Sequence, residues 1–282
     1  MYIHSVFKQI SEIQNSSIYK KQLKEISKIN LRQSSKLNVI AVYGALKCLE
    51  NISYDKNLSI YLASQYSCTQ NMLNVITQVN TKDDFVMPFD FLNINTNNVG
   101  FFISEALGTI GKSLNVTSED LSFEKAFELA YFDLMRFETK EALIGGVDES
   151  LENIINDYEL INNLENHKTK DGTAWMFLSS KKEGALAKIK ALEIYQNIEN
   201  LNSHLESITY DKISLNQYAK QYKNDLKIDQ NLIIKQQDQF YGTSAAGYLV
   251  DLLKYKKELI HISLDSKKRA YLFILEKIKS KK

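Results

Sequence analysis

The stretch Ser113–Ala130, SLNVTSEDLSFEKAFELA, constrains the fold more than any other part of this chain. Its first residues alternate in the period of a strand, and its last residues space apolar side chains as a buried helix does. Only Ser118, Glu119 and Asp120 separate the two patterns. A strand that turns sharply into a covered helix is the building unit of α/β domains. It is also where many α/β enzymes hold a nucleophile. Here the elbow offers a hydroxyl and two carboxylates, with neither Cys nor His.

The rest of the chain repeats the alternation. MYIHSVFKQ reads as a first strand, followed by a helical or irregular connection. Residues 36–51 read as a buried helix, 58–64 as a short strand, and the segment from Ser67 or Thr69 as a helix. MPFDFLNI reads as extended, passing into a helix near Asn98 that Gly108 and Gly111 break. Ser122 is a candidate N-cap for the helix after the elbow. EALIGGVDE (141–149) is a strand ending beyond its glycines, and ESLENIINDYELINNL is a helical or irregular excursion. Residues 173–196 read as two strands joined at KKEG. NIENLNSHLESI is helical, KISLNQYA and NLIIKQQ are strands, and GTSAAGYLVDLLKYKKE is a helix. LIHISLDSKKRAYLFILEKI closes the chain as a hairpin. Buried strands alternating with helices predict an α/β fold with a covered, mostly parallel sheet. Antiparallel pairs at the ends suggest a mixed sheet repeated twice. No linker rich in Pro, Gly or Ser separates residues 1–197 from 198–282, so these read as halves of one fused unit.

Composition removes several functions. Lys plus Arg is 35 and Asp plus Glu is 34, and the lysines are scattered, which argues against a nucleic-acid surface. No apolar run approaches a membrane span of ~20 residues. The N-terminus lacks a cleavage-site pattern, and the two cysteines, Cys48 and Cys68, form no disulfide framework. A reduced, cytoplasmic setting is the expectation. His4, His167, His204 and His261 are far apart, with no metal-ligand spacing, so no metal is expected. GTIGK (108–112) runs into a strand, the wrong context for a phosphate loop, and no cofactor is expected. Cys68 at a helix start, and Ser118 or Asp120 at the elbow, are the candidate nucleophiles, each without a nearby histidine in the sequence.

The order of these motifs resembles the β-ketoacyl synthase branch of the thiolase superfamily. NTNNVGFFISEALGTIGKSLNVTSEDLSFEKAFELAYFDLMRFETKEALIGGVDES is similar to the segment carrying that family's nucleophile strand. DGTAWMFLSSKKEGALAKIKAL and FYGTSAAGYLVDLL resemble the segments that follow. The resemblance spans roughly residues 36–278. It implies a truncated thiolase-like fold of duplicated five-stranded mixed sheets in α-β-α-β-α layers. It places the family's catalytic Cys column on Asp120 or Leu121, and its His columns near Asn216 and at Tyr241, so no catalytic residue remains. Short members without the Cys look like chain length factors, which pair with an active ketosynthase that is served by an acyl carrier protein. Flexirubin-type, aryl polyene and polyketide pathways use such subunits. By that resemblance, Ser113, Leu114, Asn115, Val116 and Thr117 lie at the dimer centre. Asn97 belongs to the same segment, and Phe89 and Phe91 lie beside the partner's acyl tunnel. Ordinary core packing is the competing reading of the two phenylalanines. Two alternatives stay open. One is an acyl-transfer or condensing enzyme with a shifted nucleophile, and the other is a homodimeric scaffold that docks an acyl carrier protein.

Overall fold

The computed structural model describes residues 1–82, 85–151, 170–236, 242–255 and 257–278. The excursion expected at 149–164 falls largely outside them, as does Tyr241. The strands are β1 (Tyr2–Ser11), β2 (Ser59–Ala63), β3 (Ser113–Val116), β4 (Glu141–Asp148), β5 (Asp171–Ser179), β6 (Ala187–Tyr195), β7 (Lys212–Leu215), β8 (Glu258–Leu264) and β9 (Ala270–Lys277). The helices that matter below are α1 (Ser16–Ile26), α2 (Lys36–Leu49), α3 (Thr69–Lys82), α4 (Pro88–Asn93), α5 (Asn97–Leu107), α6 (Ser122–Met135), α7 (Ile198–Leu205), α8 (Gln217–Gln221) and α9 (Ala245–Leu252).

The strands form a single sheet in the order β3-β2-β4-β5-β1-β6-β9-β8-β7. From its middle, the sheet reads the same way in both directions. β1 and β6 each pair antiparallel with the next strand, β5 or β9, and these pair antiparallel with β4 or β8. β4 and β8 then pair parallel with β2 or β7. β3 completes the first set by pairing parallel with β2. In the second set, among the described residues, only Ile233, bridged in parallel to Ile213, stands in that place. The expected strand NLIIKQQ is therefore a single bridge after a 3-10 turn at Gln230–Leu232. The two mixed sets, expected as repeats within one fused unit, join edge to edge through Tyr2↔Lys188 and Ile3↔Ala187.

The segment 173–196 is also not a hairpin. β1 lies between β5 and β6, and the link between them passes β1, where the Leu186 N–H donates to the Ile3 carbonyl at 2.7 Å. β6 is thus the first strand of the second set, although a division at 197/198 leaves it with the first. MPFDFLNI likewise departs from expectation. Pro88 begins α4, where its fixed φ and missing N–H suit a first helical position.

Three apolar clusters show the layering. One lies between the two halves of the sheet and contains Phe123, Phe127 and Ala130 of α6 with Ala246, Leu249 and Val250 of α9. A second packs α1, α2 and α5 on the far face of the first half, and a third packs α7 and α8 on the second half. The layers are therefore α-β-α-β-α. The paired glycines of β4 explain themselves in this frame. A Cβ on Gly145 would lie 2.3 Å from the Trp175 ring, and one on Gly146 2.9 Å from Ala246 of α9. Each face of β4 is approached too closely for a side chain.

Candidate functional site

The elbow keeps its shape. Thr117, Ser118 and Glu119 are exposed, Glu119 has φ 49°, and Glu119–Leu121 form one 3-10 turn before α6. A non-glycine residue in the left-handed region costs about 1 kcal/mol or more. Ser122 lies one position inside the helix and does not cap it: the cap position is Leu121. Its hydroxyl accepts from the Ser118 N–H at 2.8 Å and donates to the Glu119 carbonyl at 2.8 Å, pinning the turn from within.

The Asp120 carboxylate accepts from the Gln65 amide at 3.4 Å and from the Ser266 N–H at 3.2 Å, tying the elbow to the β8–β9 turn. Leu121 is 4% exposed and belongs to the central core. A Cβ on Gly242 would lie 2.4 Å from the Gln65 Cβ, so Gln65 packs between the elbow side and the approach to α9. Asn216 accepts from the Ala219 and Leu264 N–H groups at 2.9 and 3.0 Å and donates to the Leu264 carbonyl at 2.8 Å. It caps α8 and fastens β7 to β8.

Of the other candidates, Cys68 is engaged by a hydrogen bond and Ser118 is exposed. Cys68 is buried, its thiol donates to the Ile94 carbonyl at 2.7 Å, and burial pushes its pKa up, away from the thiolate an attack requires. Cys48 is pushed up by burial to about 12. Ser118 has no histidine partner among the described residues. His261 lies between Ser214 (2.7 Å) and Ser263 (2.9 Å) in the core, and burial lowers it to about 3, so it is neutral. Among the described residues no group of three or more His, Cys, Asp or Glu is placed to hold a metal ion.

Among the buried carboxyls that the sequence did not single out, two have raised pKa values. Asp148, at the end of β4, accepts from Ser64 Oγ (2.7 Å), the Tyr66 N–H (3.1 Å) and the Thr243 N–H (2.8 Å), so it joins the loop after β2 to the start of α9. Burial still pushes it up to about 6. Glu124 on α6 is 1% exposed, has Oε1 without a partner, and is pushed up by burial to about 7 despite a hydrogen bond from Ser263. Asp148 follows the GG pair that marks β4. Glu124 had no comparable signal, since a Glu two residues into a helix ordinarily faces water.

The prominent feature is a surface. β3 is the end strand of the sheet. The Ile60 and Ser64 N–H groups donate to the Lys112 and Val116 carbonyls, so the backbone groups of Ser113 and Asn115 point away from β2. Leu114 and Val116 pack on the central core, and the Asn115 side chain donates to the Thr96 carbonyl. Asn97, exposed, opens α5 beside them. The helices that flank this edge, α5 and α6, carry exposed apolar side chains. Of the eighteen exposed large hydrophobic residues among those described, fourteen fall between Met72 and Phe137, including Phe101 at 62%, Phe132 at 50% and Phe137 at 84%. Phe89 and Phe91 are 48% and 65% exposed, so core packing is excluded for both. Phe89 lines a cavity of about 540 Å3 with Leu92, Phe101 and Phe102; Phe91 does not line it.

No protein-family model and no curated protein matches the sequence. Solved structures do match. The ishigamide ketosynthase/chain length factor superposes with a TM-score of 0.78 at 10% identity, covering 99% of each chain. A type II polyketide synthase acyl-carrier protein in complex with its ketosynthase (AntDE:AntF) gives 0.71 at 12% identity, covering 98% of this chain and 99% of that one. The ketosynthase ApeO in complex with its chain length factor ApeC, from Xenorhabdus doucetiae, gives 0.57 at 10% identity, covering 97% and 99%. The chain therefore has the thiolase-like fold. Within it, these similar structures are ketosynthases and their chain length factors.

Proposed function

We propose that this chain is a non-catalytic, ketosynthase-like subunit that pairs through β3 with an active β-ketoacyl synthase and helps to shape its acyl tunnel. The observation that carries this reading is an open strand edge in an apolar surface, beside an elbow that keeps its turn but has no thiol. An edge strand in apolar surroundings is a liability unless another chain covers it. The outward groups of Ser113 and Asn115 set the register of such a pairing. With an antiparallel partner strand they form the hydrogen-bonded pairs, and Leu114 faces its counterpart in the close, non-hydrogen-bonded pair. Thr117 extends the same edge. Phe89 and Phe91 on α4, with Asn97 at the head of α5, are the proposed tunnel-side residues. The acyl carrier protein is the proposed source of the chain that the pair elongates.

Co-expression with a Cys-containing ketosynthase from the same gene neighbourhood tests this. A stable 1:1 complex is expected, with acyl transfer dependent on the synthase's Cys. A chain that stays monomeric and inert beside that synthase, or that itself traps a labelled acyl group, overturns the proposal.

A further inference from the structure

The cavity that Phe89 lines, of about 540 Å3, lies between the connection from α1 to α2, helix α4 and the start of α5. Its apolar wall is Phe89, Leu92, Phe101 and Phe102. Phe89, Leu92 and Phe101 are exposed, so the wall is open to a ligand. Phe101 and Phe102 meet edge to face with ring centroids 5.5 Å apart, which sets two rings at an angle on one side. No residue of β3 or of the elbow takes part.

Among the described residues, the charge on this lining is that of Arg32, and no Asp or Glu shares it. Arg32 is exposed, yet its backbone is held from both sides. Its N–H donates to the Asn30 side-chain oxygen at 3.2 Å, and its carbonyl accepts from Lys20 at 2.8 Å. Among the described residues no carboxylate pairs with its guanidinium. The amides of the lining are instead engaged by the chain itself. Asn93 donates to the Gln33 carbonyl at 2.9 Å and accepts from the Ser35 N–H at 3.1 Å. The Asn98 amide donates to the Leu92 carbonyl. The capacity left for a ligand is therefore mainly a guanidinium beside four apolar side chains. A guanidinium takes a carboxylate in a two-pronged fork, and the wall takes hydrocarbon. A chain held as a thioester brings no charge for Arg32.

We infer that this cavity binds a free medium-chain fatty acid, its carboxylate on Arg32 and its chain against Phe89, Leu92 and Phe101. The volume is in the range of small-molecule sites, ~300–1,000 Å3. Every lining residue belongs to this chain, so the site does not depend on the ketosynthase pairing, and the isolated full chain is the sample. Saturation-transfer NMR titrations with octanoate and 1-octanol at neutral pH test this. Octanoate is expected to bind with a Kd of about 1 mM or tighter, and octanol about tenfold more weakly, the worth of one charge-assisted hydrogen bond. Arg32→Gln is expected to bring octanoate down to the octanol level and to leave octanol unchanged, which a merely structural role would not do. Phe101→Ser is expected to weaken both probes by about tenfold. Ile194→Ser, an exposed apolar position on the second half of the sheet, is expected to change neither. Octanol bound as tightly as octanoate, octanoate unaltered in Arg32→Gln or in Phe101→Ser, or an equal loss in Ile194→Ser overturns the inference.

Discussion

At the scale of single residues, Glu124 departs furthest from what its type dictates. It is a carboxyl on the core face of α6, with one oxygen unpaired and Asp120 and Asp265 adding like charge. Its ordinary pKa is 4.5, and in the folded chain it is pushed up to about 7. The folded state therefore holds this proton more tightly than the unfolded state. The stability that comes with it is complete below the unfolded pKa and is lost as pH rises through the folded one. Asp148, raised from 3.8 to about 6, acts with the same sign. His261, lowered from 6.5 to about 3, acts oppositely, losing stability as pH falls through that window. Glu124→Gln keeps the shape of the protonated acid and cannot ionise. Its stability relative to the parent chain is expected to rise between pH 4.5 and 8, by on the order of 2 kcal/mol. Denaturant melts at several pH values check this, and a difference that does not vary with pH refutes the assignment.

At the scale of elements, β3 is the informative one. It is four residues long, paired on one side only, and packed against α5 so closely that a Cβ on Gly100 would lie 2.4 Å from Ser113 Oγ. The Ser113 N–H points outward, so a proline there leaves the β2–β3 ladder intact and removes a donor only from the free edge. Ser113→Pro is expected to fold with a melting temperature within a few degrees of the parent, and to lose most of its affinity for the ketosynthase partner. Size-exclusion chromatography of the co-expressed pair is the measurement. Undiminished pairing would move the interface away from β3. The strand and its helix were legible in the sequence because the period changes from 2 to 3.6 within a few residues. α4 was not, because PFDFLN alternates like a strand while Pro88 and Asp90 suit a helix start. The place of β1 between β5 and β6 was not legible either. It depends on contacts 160 to 190 residues apart, and local pattern carries nothing about them. Asp120 was legible as a residue without a nucleophile's surroundings, yet its bonds to Gln65 and Ser266 come from two distant loops.

At the scale of the molecule, the two ends of the sheet differ. The last strand of the second half, β7, has its outer groups met: the Ile234 N–H donates to the Ile213 carbonyl at 2.9 Å, and the Leu215 N–H to the Gln236 amide oxygen at 3.2 Å. Among the described residues, the outward groups of β3 have no such cover. The apolar surface gathers at the same end, on α3 to α6 and the turns between them. A nine-stranded sheet with one closed end and one open apolar end favours one neighbour and resists stacking into a filament. The isolated chain is expected to satisfy this end imperfectly, by binding hydrophobic dyes and by weak, concentration-dependent self-association. Phe101 and Phe132 lie on the two helices that flank β3, largely in water, so Phe101→Ser with Phe132→Ser is expected to change folding stability by less than about 1 kcal/mol. The same pair of changes is expected to reduce dye binding and shift sedimentation to the monomer. It is also expected to weaken the complex with the ketosynthase by about tenfold or more, as loss of two aromatic anchors at an interface does. Sedimentation and partner binding that stay as in the parent chain would show that this face meets no protein at all.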